Sequence, residues 1–161
     1  MQIYLLRHGI AEDIQPGRSD SERALTSEGK DKLRRVLKRA RTADLNPGLI
    51  LSSPYRRALE TAAVAADVLA YEGEIVRTRA LVPESNPADA WEEIRQRPNE
   101  RAILLASHEP LMSSLGAFLL NSPGLVIDMK KGTLIRIDCV RFGPVPAGIL
   151  KWMLTPGACL E

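Results

Sequence analysis

The chain contains two histidines, His8 and His108, and both stand just past a run of apolar residues. The first run is IYLLRHG, Ile3 to Gly9, and the second is AILLASHEP, Ala102 to Pro110. A third run, GLILSSP, ends on Ser52 and Ser53 and is followed by Arg57. Short continuous apolar runs of this kind are the pattern of strands buried on both faces of a sheet. In open α/β sheets, ligands bind at the carboxyl ends of the strands. Adjacent strands lie about 4.8 Å apart. Arg7, His8, Ser53, Arg57, Ser107 and His108 can therefore meet in one pocket. Two imidazoles and two guanidinium groups, with helix N-termini beside them, describe a phosphate site. Guanidinium forks match tetrahedral oxygens, and a neutral imidazole is a competent nucleophile near pH 7. The arginines disfavour the imidazolium form by like-charge repulsion, which keeps His8 neutral. A metal site fits poorly, because a third ligand is not obvious and two arginines repel a cation. The expectation is a site with no metal and no cofactor.

Helical patterns separate the runs. In TSEGKDKLRRVLKRARTAD, Leu33, Val36, Leu37 and Ala40 recur at three and four residues, which predicts one apolar stripe on a solvated helix. SPYRRALETAAVAADVLA predicts a helix with Ser53 as its N-cap and Pro54 in its first turn. NPADAWEEIRQ repeats the device with Asn86 and Pro87, and Pro110 sits near the start of EPLMSSLGAFLL. EIVRTRALV reads as a further strand. TLIRIDCV alternates and GILKWMLT is largely apolar, so the C-terminal end reads as two strands joined by RFGPVPAG. DIQPGRSDSERA is a long polar loop. This order predicts an α/β sandwich with a mostly parallel sheet.

The length of 161 residues fits one domain, residues 1–161, with little chain left for a cap over the pocket. Hydrophobic content of 45% and charged content of 26% are ordinary for a soluble globular protein. A net charge of +2, from 22 basic and 20 acidic residues, gives no footprint for nucleic acid. The apolar runs are far short of a membrane span, and no basic segment precedes the first one, so neither a membrane partner nor secretion is expected. Cytoplasmic location follows as the expectation. Cys139 and Cys159 lack zinc-like spacing and read as buried thiols. A disulfide between them stays open, because both fall in the C-terminal segment.

Four segments, in order, resemble the histidine phosphatase superfamily (phosphoglycerate mutase-like). They are RHG at the end of the first strand, RALTSEG (Arg23 to Gly29), SSPYRRALETA and ASHEPL. RALTSEG is similar to the Arg-x-Leu-Thr-x-x-Gly segment of a compact branch, and together with the short length looks most like SixA-type phosphohistidine phosphatases. The resemblance implies a mixed sheet with helices on both faces, a three-layer sandwich. It implies that His8 is the nucleophile and forms a phosphohistidine intermediate. Arg7, Arg57 and His108 would hold the phosphoryl oxygens. Arg23 either faces the pocket too or is a solvated loop residue. Gly9 and Ser53, at the same strand exits, are candidate substrate contacts, and Gly9 also permits a tight turn.

An ester leaving group wants a proton donor. Many superfamily members supply a carboxylic acid, and this sequence resembles the SixA type in lacking a clear equivalent. Glu84, in LVPESNP, is the candidate general acid, with a solvated loop residue as its alternative; Glu12 and Glu109 flank the motifs. The preferred reading is a phosphatase acting on phosphohistidine of a phosphorelay or phosphotransfer protein. The alternatives are a phosphatase on small phosphate esters or phosphoramidates, which needs an acid such as Glu84, and a non-catalytic phosphate-binding module.

Overall fold

A computed structural model describes residues 1–159. Six strands form one mixed sheet: β1 (Gln2–Arg7), β2 (Leu49–Ser52), β3 (Ile75–Arg77), β4 (Ala102–Ser107), β5 (Leu134–Cys139) and β6 (Gly148–Leu154). Their spatial order is β3-β2-β4-β1-β5-β6. The first four pair in parallel, and β5 is antiparallel to both β1 and β6. Four helices cover the sheet: α1 (Ser27–Arg41), α2 (Arg56–Val68), α3 (Pro87–Arg95) and α4 (Leu111–Leu119).

Strand alternation sends side chains to opposite faces and so builds two cores. Tyr4, Leu6, Ile50 and Leu104 pack with Leu33, Val36 and Leu37 of α1 and with Ala62 and Ala65 of α2. Ile3, Leu5, Leu51 and Leu105 pack with Trp91 and Ile94 of α3 and with Leu111, Met112 and Leu115 of α4. The three-layer α/β architecture expected from the sequence is the observed one. Every residue of β4 is buried, so deleting Leu104 or Leu105 to alanine costs about 2–5 kcal/mol.

The α1 stripe and the Asn86 cap are as expected; the Asn86 side chain accepts from Asp89 N, with Pro87 in the first turn. One expectation about the strands is corrected, and the question left open about the cysteines is answered. The strand read into EIVRTRALV is only Ile75–Arg77. The ladder ends where Thr78 N donates to Ser52 O, and the Thr78 hydroxyl then accepts from Ala80 N to start a 3-10 turn that buries Leu81. The cysteines are free and belong to different cores on opposite faces of the sheet, so they do not pair. Among the described residues no helix is long and apolar enough to cross a membrane.

Candidate active site

Strand register brings the two histidines together. β1 pairs with β4 so that Arg7 lies opposite Ser107. His8 and His108 therefore leave adjacent strands at the same level, with ring centroids 5.2 Å apart. Both are buried. His8 Nδ1 lies 2.7 Å from Gly9 O. A carbonyl only accepts, so Nδ1 carries the proton and Nε2 keeps its lone pair. Burial pushes the His8 pKa down to about 4; the Gly9 bond opposes this, and the charges of Arg57, Arg7 and Lys131 add to it. Repulsion by the arginines, expected from the sequence, is thus present but second to desolvation.

His108 is held from the other side. Its Nε2 lies 2.8 Å from the Ser53 hydroxyl, which also accepts from Tyr55 N at 3.2 Å. Burial, then the charges of His8, Arg57 and Arg7, lower its pKa to about 3, against an opposing effect of Asp20. Ser53 is therefore not the α2 cap that the sequence suggested. α2 begins three residues later, at Arg56, with Tyr55 in the cap position and no side-chain cap bond. The buried hydroxyl orients an imidazole instead.

The arginines approach from three elements. Arg7 ends β1, and its Nη1 donates to Met129 O at 2.7 Å. Arg57 lies in the first turn of α2, and its side chain is 7% exposed. Its guanidinium sits over the Tyr55 ring at 5.1 Å, and the same ring meets His108 edge-on at 5.1 Å. Arg56, one residue away, faces solvent and pairs with Glu60. Arg23 reaches the cluster through Asp20: its Nη1 donates to Asp20 Oδ1, while Arg57 Nη2 donates to Asp20 Oδ2, both at 3.0 Å. Burial alone would raise the Asp20 carboxyl, but hydrogen bonds from Arg23 and Arg57 and their charges outweigh it and hold the pKa below the ordinary value.

Glycines set the close approaches beneath this cluster. A Cβ on Gly9 would meet Leu33 Cδ1 at 2.8 Å and Gly29 O at 3.2 Å. A Cβ on Gly29 would collide with the Ile10 backbone. The exit of β1 thus lies flat on the first turn of α1, where the Thr26 hydroxyl accepts from Gly29 N as the cap and donates to Ile10 O. Gly9 N donates to the Thr61 hydroxyl, which in turn donates to Arg57 O. Gly9 accordingly works through close packing and its carbonyl, with no left-handed turn at this position.

The candidate acids do not converge. Glu84 is exposed, and its Oε1 accepts from the Tyr55 hydroxyl at 3.3 Å. Glu109 Oε1 accepts from Ser113 N at 2.7 Å and is occupied with the start of α4. The Glu12 side chain is exposed, and only its backbone carbonyl meets Arg23. Sequence reasoning missed Asp20, Tyr55, Thr61 and the Met129 and Gly132 backbone. Tyr55 and Thr61 stand in the SSPYRRALETA stretch and could have been flagged there; nothing in the polar loop marked Asp20.

The arrangement leaves buried polar atoms open. Arg7 Nε, Arg57 Nε and His108 Nδ1 are buried and have no partner among the described residues. Buried polar groups are normally satisfied, so three open ones at a single strand edge mark a place with hydrogen-bonding capacity to spare. A free imidazole lone pair among cationic donors suits an electrophilic oxyanion.

Comparison with known proteins agrees with this geometry. The sequence model of the histidine phosphatase superfamily (branch 1) matches residues 3–81. The phosphohistidine phosphatase SixA of Escherichia coli is 27% identical over 162 residues, covering 97% of this chain and 94% of its own. An uncharacterized protein of Picosynechococcus is 28% identical over 139 residues, 85% of this chain and 84% of that one. Among solved structures, the protein histidine phosphatase SixA complexed with tungstate superposes with a TM-score of 0.86 at 25% identity, covering 98% of both chains. Over residues 3–81 the chain is similar to the histidine phosphatase superfamily, and over nearly its whole length it is similar to SixA in sequence and fold.

Proposed function

We propose that the protein is a cytoplasmic phosphatase, a single domain without a cap, that removes the phosphoryl group from phosphohistidine on a phosphorelay or phosphotransfer protein. The observation that carries the reading is the His8 ring: Nδ1 is spent on Gly9 O at 2.7 Å, so Nε2 is the free nucleophile. In the first step the lone pair of Nε2 attacks phosphorus in line. A new P–N bond forms to His8 and the P–N bond to the substrate imidazole breaks; that ring leaves with the bonding pair and is protonated by solvent. Arg7, Arg57 and His108, with Arg23 at the edge, take up the charge on the three equatorial oxygens. Water then attacks the phosphoenzyme, releases inorganic phosphate and restores His8. Charge stabilisation by guanidinium groups requires no metal, so turnover survives EDTA.

The substrate class follows from the missing proton donor. An imidazole departs more readily than an alkoxide, and neither Glu84, on the Tyr55 hydroxyl, nor Glu109, on Ser113 N, is hydrogen-bonded to His8 or His108. A second reading, hydrolysis of small phosphate esters with Glu84 as general acid, draws on that Tyr55 bond, which holds Glu84 at the rim. Assays with a phosphohistidine protein, phosphoramidate and an alkyl phosphate separate the two. The first reading expects fast P–N cleavage, slow alkyl ester cleavage and an unchanged phosphohistidine rate for Glu84→Gln. A positioned acid contributes roughly 10²–10⁴-fold, so an alkyl ester rate that falls by that factor in Glu84→Gln overturns it.

A further inference from the structure

One carboxylate, outside every motif, ties the arginines together. Arg57 Nη1 donates to Asp20 O at 2.8 Å and Nη2 donates to Asp20 Oδ2 at 3.0 Å. Asp20 Oδ1 accepts from Arg23 Nη1 at 3.0 Å, and Arg23 Nε is anchored on Glu12 O at 2.7 Å. Asp20 opens the 3-10 turn Asp20–Glu22, so a surface turn and the first turn of α2 are joined through a single side chain and its own carbonyl.

The donor count gives this contact a direction. A guanidinium has five N–H groups. Asp20 occupies one on each terminal nitrogen, and Arg57 Nε remains buried and without a partner. Asp20 therefore fixes the plane of the guanidinium from one edge and leaves donor capacity on the rest. Tyr55 supports one face of the same group. An arginine held this way does not have to give up its rotamer freedom when a ligand arrives. The shared anion also offsets repulsion between two cations that must be presented together.

We propose that Asp20 is a positioning residue for phosphoryl transfer: it acts through Arg57, aims the remaining N–H groups at the phosphoryl oxygens, and brings Arg23 to the same edge. The inference rests on the reading of Arg57 as a phosphoryl ligand. Asparagine in its place keeps the shape and loses one charged acceptor.

A double-mutant cycle tests it, with phosphoramidate as substrate and wild type, Asp20→Asn, Arg57→Ala and the double variant compared. Asp20→Asn is expected to lower kcat/KM about 10-fold when Arg57 is present and only about 2- to 3-fold when it is alanine, since the part that acts through Arg57 is lost and only the part that acts through Arg23 remains. Tungstate titration of the same four proteins reads the same coupling without turnover. A side chain that served the fold alone would cost equal factors in both backgrounds, and that result overturns the proposal, as does a wild-type rate for Asp20→Asn. If Arg57→Ala itself leaves both readouts unchanged, the reading of Arg57 is what fails. Melting temperatures are measured for each protein, and Asp20→Ser replaces Asp20→Asn in the cycle if the latter does not fold.

Discussion

The two ends of the sheet contribute to the site in different currencies. The parallel strands β1, β2 and β4 all point their carboxyl ends at one edge, and the side chains gathered there come from those exits: His8, Ser53 and His108, with Arg57 on the helix that follows β2. The antiparallel strand β5 meets the same edge with its beginning, and the segment that leads into it gives backbone contacts, with Lys131 adding only a charge nearby. Thr133 O accepts from Arg7 N, Gly132 N donates to His8 O, and Met129 O accepts from the Arg7 side chain. Burial follows the same division. β4 is wholly buried, whereas Ile149, Leu150 and Met153 of the edge strand β6 are exposed. Parallel pairing concentrates chemistry at one edge; the antiparallel end closes the sheet and clamps the loop that holds β1.

The largest expected effect sharpens that division at its centre. His8→Ala abolishes turnover and radiolabelling of the enzyme from a phosphorylated substrate, while circular dichroism stays that of the native fold. Persistent labelling would move the nucleophile to another group, with His108 next to be tested.

Next comes a comparison within one helix turn. Arg57→Ala is expected to lower kcat by about 10², the order found when one charge-stabilising donor is lost. Arg56→Ala is expected to change it by less than about twofold, because exposed arginines paired on a helix surface contribute little. Equal effects at the two positions would mean that orientation around α2 does not separate site from surface.

Much of this contrast was legible in the sequence because parallel strands advertise themselves. Apolar runs that stop on His8, Ser52 and His108 gave both the strands and their polar exits. Local physics hid the rest. Ser53 before a proline has the signature of a helix cap, yet its hydroxyl is taken by His108, a partner 55 residues away. EIVRTRALV has strand composition, but β2 offers only Leu49–Ser52 to pair with and the ladder ends there. Asp20 lies in a stretch of polar loop residues; Arg23 is a partner within its own turn, but Arg57 reaches it only once α2 has docked. Spatial strand order, which sets which exits are neighbours, has no local signal.

A smaller and continuous effect concerns pH. Both histidine pKa values are depressed, to about 4 for His8 and about 3 for His108, with burial as the first cause. Reactivity that needs neutral His8 is expected to stay level from pH 8 to about pH 5 and to fall as pH approaches 4. A half-maximal rate near 6.5 would show an imidazole open to solvent. Stability moves in the same direction. The unfolded chain takes up protons at its ordinary histidine value of 6.5 and the folded chain does not, so stability is full above 6.5 and drains as pH falls toward 4. For His8 the loss at pH 4 is about 3 kcal/mol, which urea titrations at pH 7 and pH 4.5 would begin to register.

The smallest effect is expected at the other end of the sheet. Met153 of β6 is 37% exposed and pairs with Ile135 across the antiparallel ladder. Replacing Met153 by lysine puts a charge on an edge strand, a change that natural edges use to discourage pairing with other chains. Exposed substitutions away from caps and buried networks generally stay within about 0.5 kcal/mol, so a similar urea midpoint is expected. No side chain of β6 belongs to the cluster around His8, and the contacts from this end run through the backbone of residues 129–133. The kcat/KM of Met153→Lys for phosphoramidate is therefore expected to equal that of wild type. A several-fold loss with an unchanged urea midpoint would reveal coupling from the antiparallel edge into the site. The division between an end that carries chemistry and an end that supplies backbone would then no longer hold.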